Sequence, residues 1–455
     1  MQYRDLTTGS LREHIRFIAV PASVGFFFNT MFNVIDTYFA GEIGTAALAG
    51  LAISFPVYIL LIALSSGIGN AVSALSSISL GKKDNQAYHT LILNSLFLSV
   101  IIGIILVLFS SGIVDGLFQL TGATGDAFEL GTAYTRTIFF GSVFFTLNYA
   151  INGMLSAQGD TKSYRNFLII GFFMNIILDP LFIFGWFGLP QLGTIGIALA
   201  TVVVQAIGTL YLGYRLLRSN GFVRELFLSA KIAGASILEI LRQAIPSALS
   251  TATVAIGVFV INYFVVQYGG EATIAAYGVS LRIEQIVLLP TIGLNTAALT
   301  IIGQNYGAKD FNRMQNALKL TLRYGLIIVA IGALIVFTFA PTLIGLFDNS
   351  QDVIQAGTNY LRIATLVLPA YIFLYLYLSA LQAIKKPNFG FYIGLFRQLF
   401  PIVLFQFLAS TLNLGIFGVW WGIVIKNWVA VIITIWYTRR QFKAIEDQDQ
   451  TPTSG

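Results

Sequence analysis

Cysteine is absent from the 455 residues, only 10% of them are charged, and there are two histidines. Without cysteine there are no disulfides, no thiol catalysis and no cysteine-based metal sites. His14 and His89 fall at the edges of apolar segments and do not form a zinc site by themselves. The shortage of charge excludes a soluble globular enzyme, which covers its surface with about 25% charged residues. No Walker motif or dinucleotide fingerprint is present. The loops are too short to hold a nucleotide-binding domain, so neither an enzyme nor a nucleotide-driven pump is expected, and no cofactor is required.

What fills the chain instead is apolar: 56% of the residues are hydrophobic, with a mean hydropathy of +0.79. A membrane-crossing helix takes about 20 such residues to span roughly 30 Å of hydrocarbon, and the total suffices for about a dozen spans. The apolar segments are long and lack the period-two alternation of barrel strands. The expected fold is therefore an all-α polytopic bundle. Spans are expected at about 15–40, 46–80, 89–113, 131–156, 165–187 and 192–217, then at 238–267, 273–305, 316–340, 356–384, 389–411 and 416–438. The first apolar stretch, from Ile15 past Asp36, has no small-residue cleavage pattern and reads as a membrane helix rather than a signal peptide.

The net charge of +6 does not point to nucleic acid once the charges are placed. Lys82, Lys83, Lys162, Arg165, Arg215, Arg218, Arg224, Lys231, Arg242, Lys309, Arg313, Lys319, Arg323, Lys385 and Lys386 all fall on alternate connections, and both termini are basic. The other connections carry Glu42, Asp115, Asp126, Glu129, Glu271, Asp348 and Asp352 and no Lys or Arg between the helices. By the positive-inside rule both termini face the cytoplasm; the expected location is the cytoplasmic membrane of a prokaryote.

An internal repeat gives the architecture. Gly81, Lys83 and Asp84 recur as Gly307, Lys309 and Asp310, and Gly131, Tyr134 and Arg136 recur as Gly357, Tyr360 and Arg362, all at an offset of 226. Pro21 maps near Pro246, Gln158 near Gln382, and Gly193 with Gly196 onto Gly415 with Gly418 as the offset drifts. Two parallel six-helix repeats around a central cleft are a transporter architecture with the substrate site at the repeat interface. The expected domains are an N-terminal lobe at 1–217, a cytoplasmic linker at 218–237, a C-terminal lobe at 238–440 and a polar cytoplasmic tail at 441–455, disordered after Glu446.

A charge at the centre of a membrane helix costs about 2.5–3.5 kcal/mol on insertion scales, so each one asks for a reason. Asp36 lies in the first span. Asp179 lies in the fifth, four residues after Asn175 and so on the same helix face. Thr201 of the sixth span falls at a matching depth. Two carboxylates, an amide carbonyl and a hydroxyl can carry a shared proton when close and shielded from water, or can ligate a hard cation such as Na+. They can also simply fix helix packing. The second lobe lacks the set: Ile261 or Asn262 stands for Asp36, Pro401 for Asp179 and Arg397 for Asn175. Arg282 and Glu284 lie in the eighth span and Lys426 in the twelfth, of which Lys426 is expected to answer Glu284 in packing, with a part in substrate binding or coupling as the alternative. Arg136, Arg362, Tyr134 and Tyr360 read as interface anchors. Pro21, inside the first span, could hinge the helix below Asp36 or hold a static kink. Aromatics facing the cleft would suit planar, cationic or amphipathic molecules.

Phe39 to Gly41 after the first-span Asp, Leu155 to Gly159 after the fourth span, Asn175 to Asp179, and Gly303 to Ala308 at the end of the eighth resemble the multidrug and toxic compound extrusion (MATE) family, within it the DinF-like branch. The resemblance extends over almost the whole chain. It implies an antiporter exporting organic cations or amphipathic drugs against H+ or Na+, with ion coupling at Asp36, Asn175, Asp179 and Thr201 and the helix bend at Pro21. A monomer in the lipid bilayer, with no nucleic-acid partner, is the matching expectation. The family branch with second-lobe acids in spans 7 and 10 is not matched, which favours H+; Na+ at Asp36, Asn175 and Asp179 stays open. The rivals are a flippase for lipid-linked precursors, with a more basic cleft, and a channel or receptor.

Overall fold

The computed structural model describes residues 4–120, 124–219 and 231–450. Among them are fifteen α-helices and no strand. The first half holds α1 (Leu11–Ile43), α2 (Thr45–Gly81), α3 (Asn85–Leu108), α4 (Ser110–Leu120), α5 (Asp126–Phe140), α6 (Ser142–Ala157), α7 (Lys162–Phe184) and α8 (Thr194–Leu217). The second holds α9 (Gly234–Tyr268), α10 (Glu271–Gly307), α11 (Phe311–Gly345), α12 (Gln351–Ala364), α13 (Leu368–Ala383), α14 (Asn388–Gln406) and α15 (Ile416–Gln450). Ten helical segments are long and apolar enough to cross a membrane. Two bent pairs, α5 with α6 at 51° and α12 with α13 at 48°, bring the spans to twelve. The chain is a multi-pass membrane protein of two six-span repeats.

Each bend has a local cause. Gly141 closes α5 with a tight bond from its N–H to the Ile138 carbonyl, 3.0 Å. Pro369, in the first turn of α13, has no N–H to give to α12 and its ring excludes a continuous helix. Where the sequence suggests one span to 113, the helix ends at Leu108 and α4 follows as a separate segment, while its second-half counterpart α11 runs unbroken. Pro21 is buried inside α1, which passes through it as one helix.

The repeat glycines are where the lobes meet. A Cβ on Gly81 would lie 1.9 Å from the Gln304 carbonyl oxygen, and one on Gly307 would lie 2.2 Å from that of Ile78. Both pairs obey the 226-residue offset, so the contact is a pseudo-twofold crossing of α2 and α10. Gly67 against Ala244 and Gly293 against Ala19 repeat the pattern one level deeper, with Cβ approaches of 2.7 and 2.1 Å. Nothing larger than hydrogen allows backbones this close. The matched turns that follow are also alike: Lys83 and Lys309 have φ of 57° and 61°, and Asp84 and Asp310 cap the next helix by accepting from Ala87 and Arg313 N–H at 2.9 and 2.8 Å.

These contacts lie at the end of the bundle that carries the lysines, and the N-terminal segment seals it. Leu6, fully buried, donates its N–H to Gln304 Oε1 at 2.9 Å and accepts from Asn305 Nδ2 at 3.2 Å. Gln304 Nε2 donates to the Ala157 carbonyl of the other lobe at 2.7 Å. Arg4 N–H reaches the Gln158 carbonyl at 3.2 Å, so residues 4–9 tie both lobes together.

Two expectations change. Tyr134 and Tyr360 are buried in the lobe cores rather than anchored at an interface, while Arg136 is exposed and pairs with Asp115 at 2.5 Å. The expected disorder after Glu446 does not set in there: α15 runs on to Gln450, with Phe442 buried in the core and Lys309 bonded to Asp449 at 2.6 Å. Residues 220–230 of the expected linker and 451–455 lie outside the described residues. The linker's end is pinned, with Asn94 bonded to the Lys231 carbonyl and Ala233 N–H, both at 2.9 Å.

Candidate functional site

In the first lobe α1, α7 and α8 converge. Asp36 points inward from α1 between the exposed Val34 and Tyr38 and is itself buried. One helical turn puts Asn175 and Asp179 in line on α7, and both are fully buried. The Asn175 amide is the bridge. Its Nδ2 donates to Asp36 Oδ1 and, at 2.9 Å, to Asp179 Oδ2. Thr201 Oγ1 on α8 lies 3.4 Å from Asp36 Oδ2 and 3.2 Å from the carbonyl of Ile197. The four residues singled out from sequence in this lobe are thus one cluster.

Its polar accounting does not close. Asn175 Oδ1 and Asp179 Oδ1 are buried with no hydrogen-bond partner, and neither acid forms an ion pair among the described residues. Two carboxylates held by a single amide, with no basic side chain against them, are too costly to keep doubly ionised without a cation. A proton fits this set. So does Na+, for which the two open oxygens and the Asp36 carboxylate are hard ligands.

Reasoning from sequence missed the polar layer beside the cluster. Thr201, Gln205 and Thr209 succeed each other at four-residue steps on α8. Asn148 of α6 donates to Gln205 Oε1 at 2.7 Å and accepts from Thr209 at 2.9 Å. The four-residue spacing was the available signal. Asn29 and Asn33, on α1 below Asp36, face a small cavity together with Gln205 and Tyr58.

The second-lobe charges do not come together. Arg282 is exposed. Glu284 is buried, with the Tyr360 hydroxyl as its hydrogen-bonding neighbour and its Oε1 unpartnered. Lys426 is also buried, 6.0 Å from the centre of the Phe405 ring, and makes no ion pair with Glu284. The expected Glu284–Lys426 pairing is absent because each side chain is held by a different aromatic neighbour.

A model of the MatE family matches residues 21–181 and again 246–406, so the two lobes are two copies of one unit. The multidrug export protein MepA of Staphylococcus saprophyticus is 25% identical over 415 residues, 91% of this chain and 90% of its own length. An FAD transporter of Shewanella oneidensis is 25% identical over 423 residues, 93% of each chain. A solved MOP superfamily transporter from Pyrococcus furiosus superposes with a TM-score of 0.89 at 27% identity, covering 97% of this chain and 98% of that one. With both lobes matched over well more than half of its residues, the protein belongs to the MatE family of membrane transporters.

Proposed function

We propose that the protein is a secondary active efflux antiporter of a prokaryotic cytoplasmic membrane, with both termini cytoplasmic, which exports amphipathic small molecules in exchange for protons. The observation that carries this reading is the Asp36–Asn175–Asp179–Thr201 cluster: two buried carboxylates sharing one amide, with no cationic side chain to neutralise them. A site of this kind gains stability when an external cation arrives, and its two lobes provide the alternating states. Closure at the lysine-bearing end leaves the cleft between the lobes facing outward. A proton entering from outside neutralises the cluster, and α1, hinged at Pro21, shifts to favour release of the exported molecule. Proton loss to the cytoplasm resets the cycle.

Kinship leaves the cargo open, since the relatives include multidrug exporters and an FAD transporter. Proton coupling is preferred to Na+ because spans 7 and 10 of the second lobe lack the acids of the family branch that the resemblance links to a second-lobe Na+ site. The test is export by Asp36→Asn protein in reconstituted vesicles, with expression and folding checked. The amide removes a costly buried acid, so the protein should fold normally and export should be abolished. Normal efflux by a well-folded Asp36→Asn variant would remove the coupling role.

A further inference from the structure

Between the lobes lies a cavity of about 500 Å³, a size suited to a drug-like molecule. Its first-lobe wall includes Asn70, Ser73, Tyr149 and Asn152, and its second-lobe wall includes Asn295, Tyr375 and Arg397. No Asp or Glu lines it, and Arg397 is its one charged lining residue among the described residues. The surroundings hold this guanidinium without cancelling its charge. Its Nε and Nη2 donate to Asn427 Oδ1 at 3.1 and 2.8 Å. The orientation of Asn427, fully buried, is set by its own donation to the Ile423 carbonyl at 2.8 Å. The Arg397 carbon lies 5.7 Å from the centre of the Tyr371 ring, and Arg397 makes no ion pair among the described residues. A neutral acceptor and an aromatic face thus fix one side of the fork, leaving its remaining N–H groups for a ligand.

The place of Arg397 in the repeat sharpens the point. It stands where the first lobe has Asn175, so the position that bridges two carboxylates in one lobe is a cation in the other. Lys426 and Glu284 are buried elsewhere in the same lobe and do not line the cavity. Asn70, Asn152, Ser250 and Thr251 also line the cavity and give it a polar wall for the rest of a ligand. Tyr375, stacked on Tyr371 with ring centres 5.9 Å apart, lines the same cavity.

We propose that Arg397 is the docking point for an anionic group, a carboxylate or phosphate, on the exported amphiphile, and that the cavity therefore selects against the organic cations implied by the family resemblance. The proposal rests on the transporter reading but not on proton coupling. Carboxylate and phosphate meet a guanidinium as bidentate, charge-assisted hydrogen bonds. The same chemistry could come from a free amphiphile or from a lipid-linked diphosphate.

The test is equilibrium binding to the purified full-length protein, then transport in vesicles, of three probes on one xanthene ring system: a carboxylate, its carboxamide and a cationic ester. A polyprenyl diphosphate is the fourth probe. The carboxylate should bind about tenfold or more tightly than the carboxamide, and the cation should bind weakest. Arg397→Gln should remove that preference, with carboxylate binding falling by about tenfold or more and carboxamide binding falling far less, and Arg397→Lys should restore part of it. Asn427→Asp supplies an independent arm if Arg397→Gln fails to fold: a carboxylate against the guanidinium should abolish anion preference with the arginine still present. Asp36→Asn, which mimics the neutralised cluster, should weaken binding of every probe alike and keep the carboxylate-over-carboxamide ratio, so a failure of ion coupling is read separately. Binding of polyprenyl diphosphate that depends on Arg397, without the dye, would support the anion site and assign it to a lipid. Preference of the wild type for the cation, or equal losses for all probes in Arg397→Gln, would overturn the proposal.

Discussion

Replacing Gly81 with alanine puts a methyl group into the tightest contact between the lobes. Its Cβ would stand 1.9 Å from the Gln304 carbonyl oxygen, which belongs to backbone and cannot rotate away. Restoring ordinary contact requires the ends of α2 and α10 to part by more than about 1 Å, at a cost of about 1–3 kcal/mol for an overpacked interior. That cost falls only on the state in which the lysine-bearing end is closed. At 1.4 kcal/mol per tenfold, the balance between closed and open states should move by about 5- to 150-fold. Gly307→Ala, with its approach of 2.2 Å to the Ile78 carbonyl, should act alike. Gly213→Ala, with nothing within 4 Å, is the control. The absence of native cysteine makes the assay direct: spin labels at Asn85→Cys and Asn312→Cys, both exposed just past the crossing, report the separation of the lobes by pulsed electron resonance. The substitution should add a second, longer distance population. A distance distribution in folded Gly81→Ala protein identical to that of its parent would refute the reasoning.

Asp179→Asn should abolish export as Asp36→Asn does, and the double variant should lie within about twofold of either single one, since residues acting as a unit do not add; multiplicative losses in a vesicle efflux assay would separate the two acids. Thr201→Val removes the hydroxyl's contacts with Asp36 at 3.4 Å and with the Ile197 carbonyl at 3.2 Å and should slow efflux by about two- to tenfold, in line with about 0.5–1.5 kcal/mol for a hydrogen bond; full loss would place Thr201 among the obligatory ligands. Lys426→Met exchanges a buried, carboxylate-free ammonium for an apolar chain of similar length. Its thermal midpoint should hold or rise by a gain of about 1 kcal/mol, and a clear fall in a thermal-shift measurement would mean that the ammonium is holding a partner.

The spans were legible because each needs a long apolar run, and the positions of Lys and Arg sorted the connections. The cluster was legible because intramembrane acids are rare and costly, so Asp36 and Asp179 stood out, and the four-residue step to Asn175 supplied a shared face. The breaks at Gly141 and Pro369 were hidden inside continuous hydrophobic text. Tyr134 and Tyr360 were misplaced because an amphipathic ring near a span end reads the same whether it faces headgroups or a lobe core. The last helix outran its expected end because its polar residues find partners across the fold, Lys309 with Asp449 above all, and no local pattern shows such a contact. The strap at Leu6 was invisible for the same reason: its worth comes from Gln304 and Asn305, some three hundred residues away in sequence.

Efflux from reconstituted vesicles, with a pH gradient and a Na+ gradient imposed separately, tests the central claim most directly. The account predicts that outward flux rises as the external side is made more acidic than the internal side, that replacing Na+ by choline or K+ leaves it unchanged, and that a protonophore stops it. The same gradients should have no effect on Asp36→Asn vesicles. Transport that survives the protonophore and stops without Na+ would contradict proton coupling, and flux that ignores both gradients would contradict antiport itself.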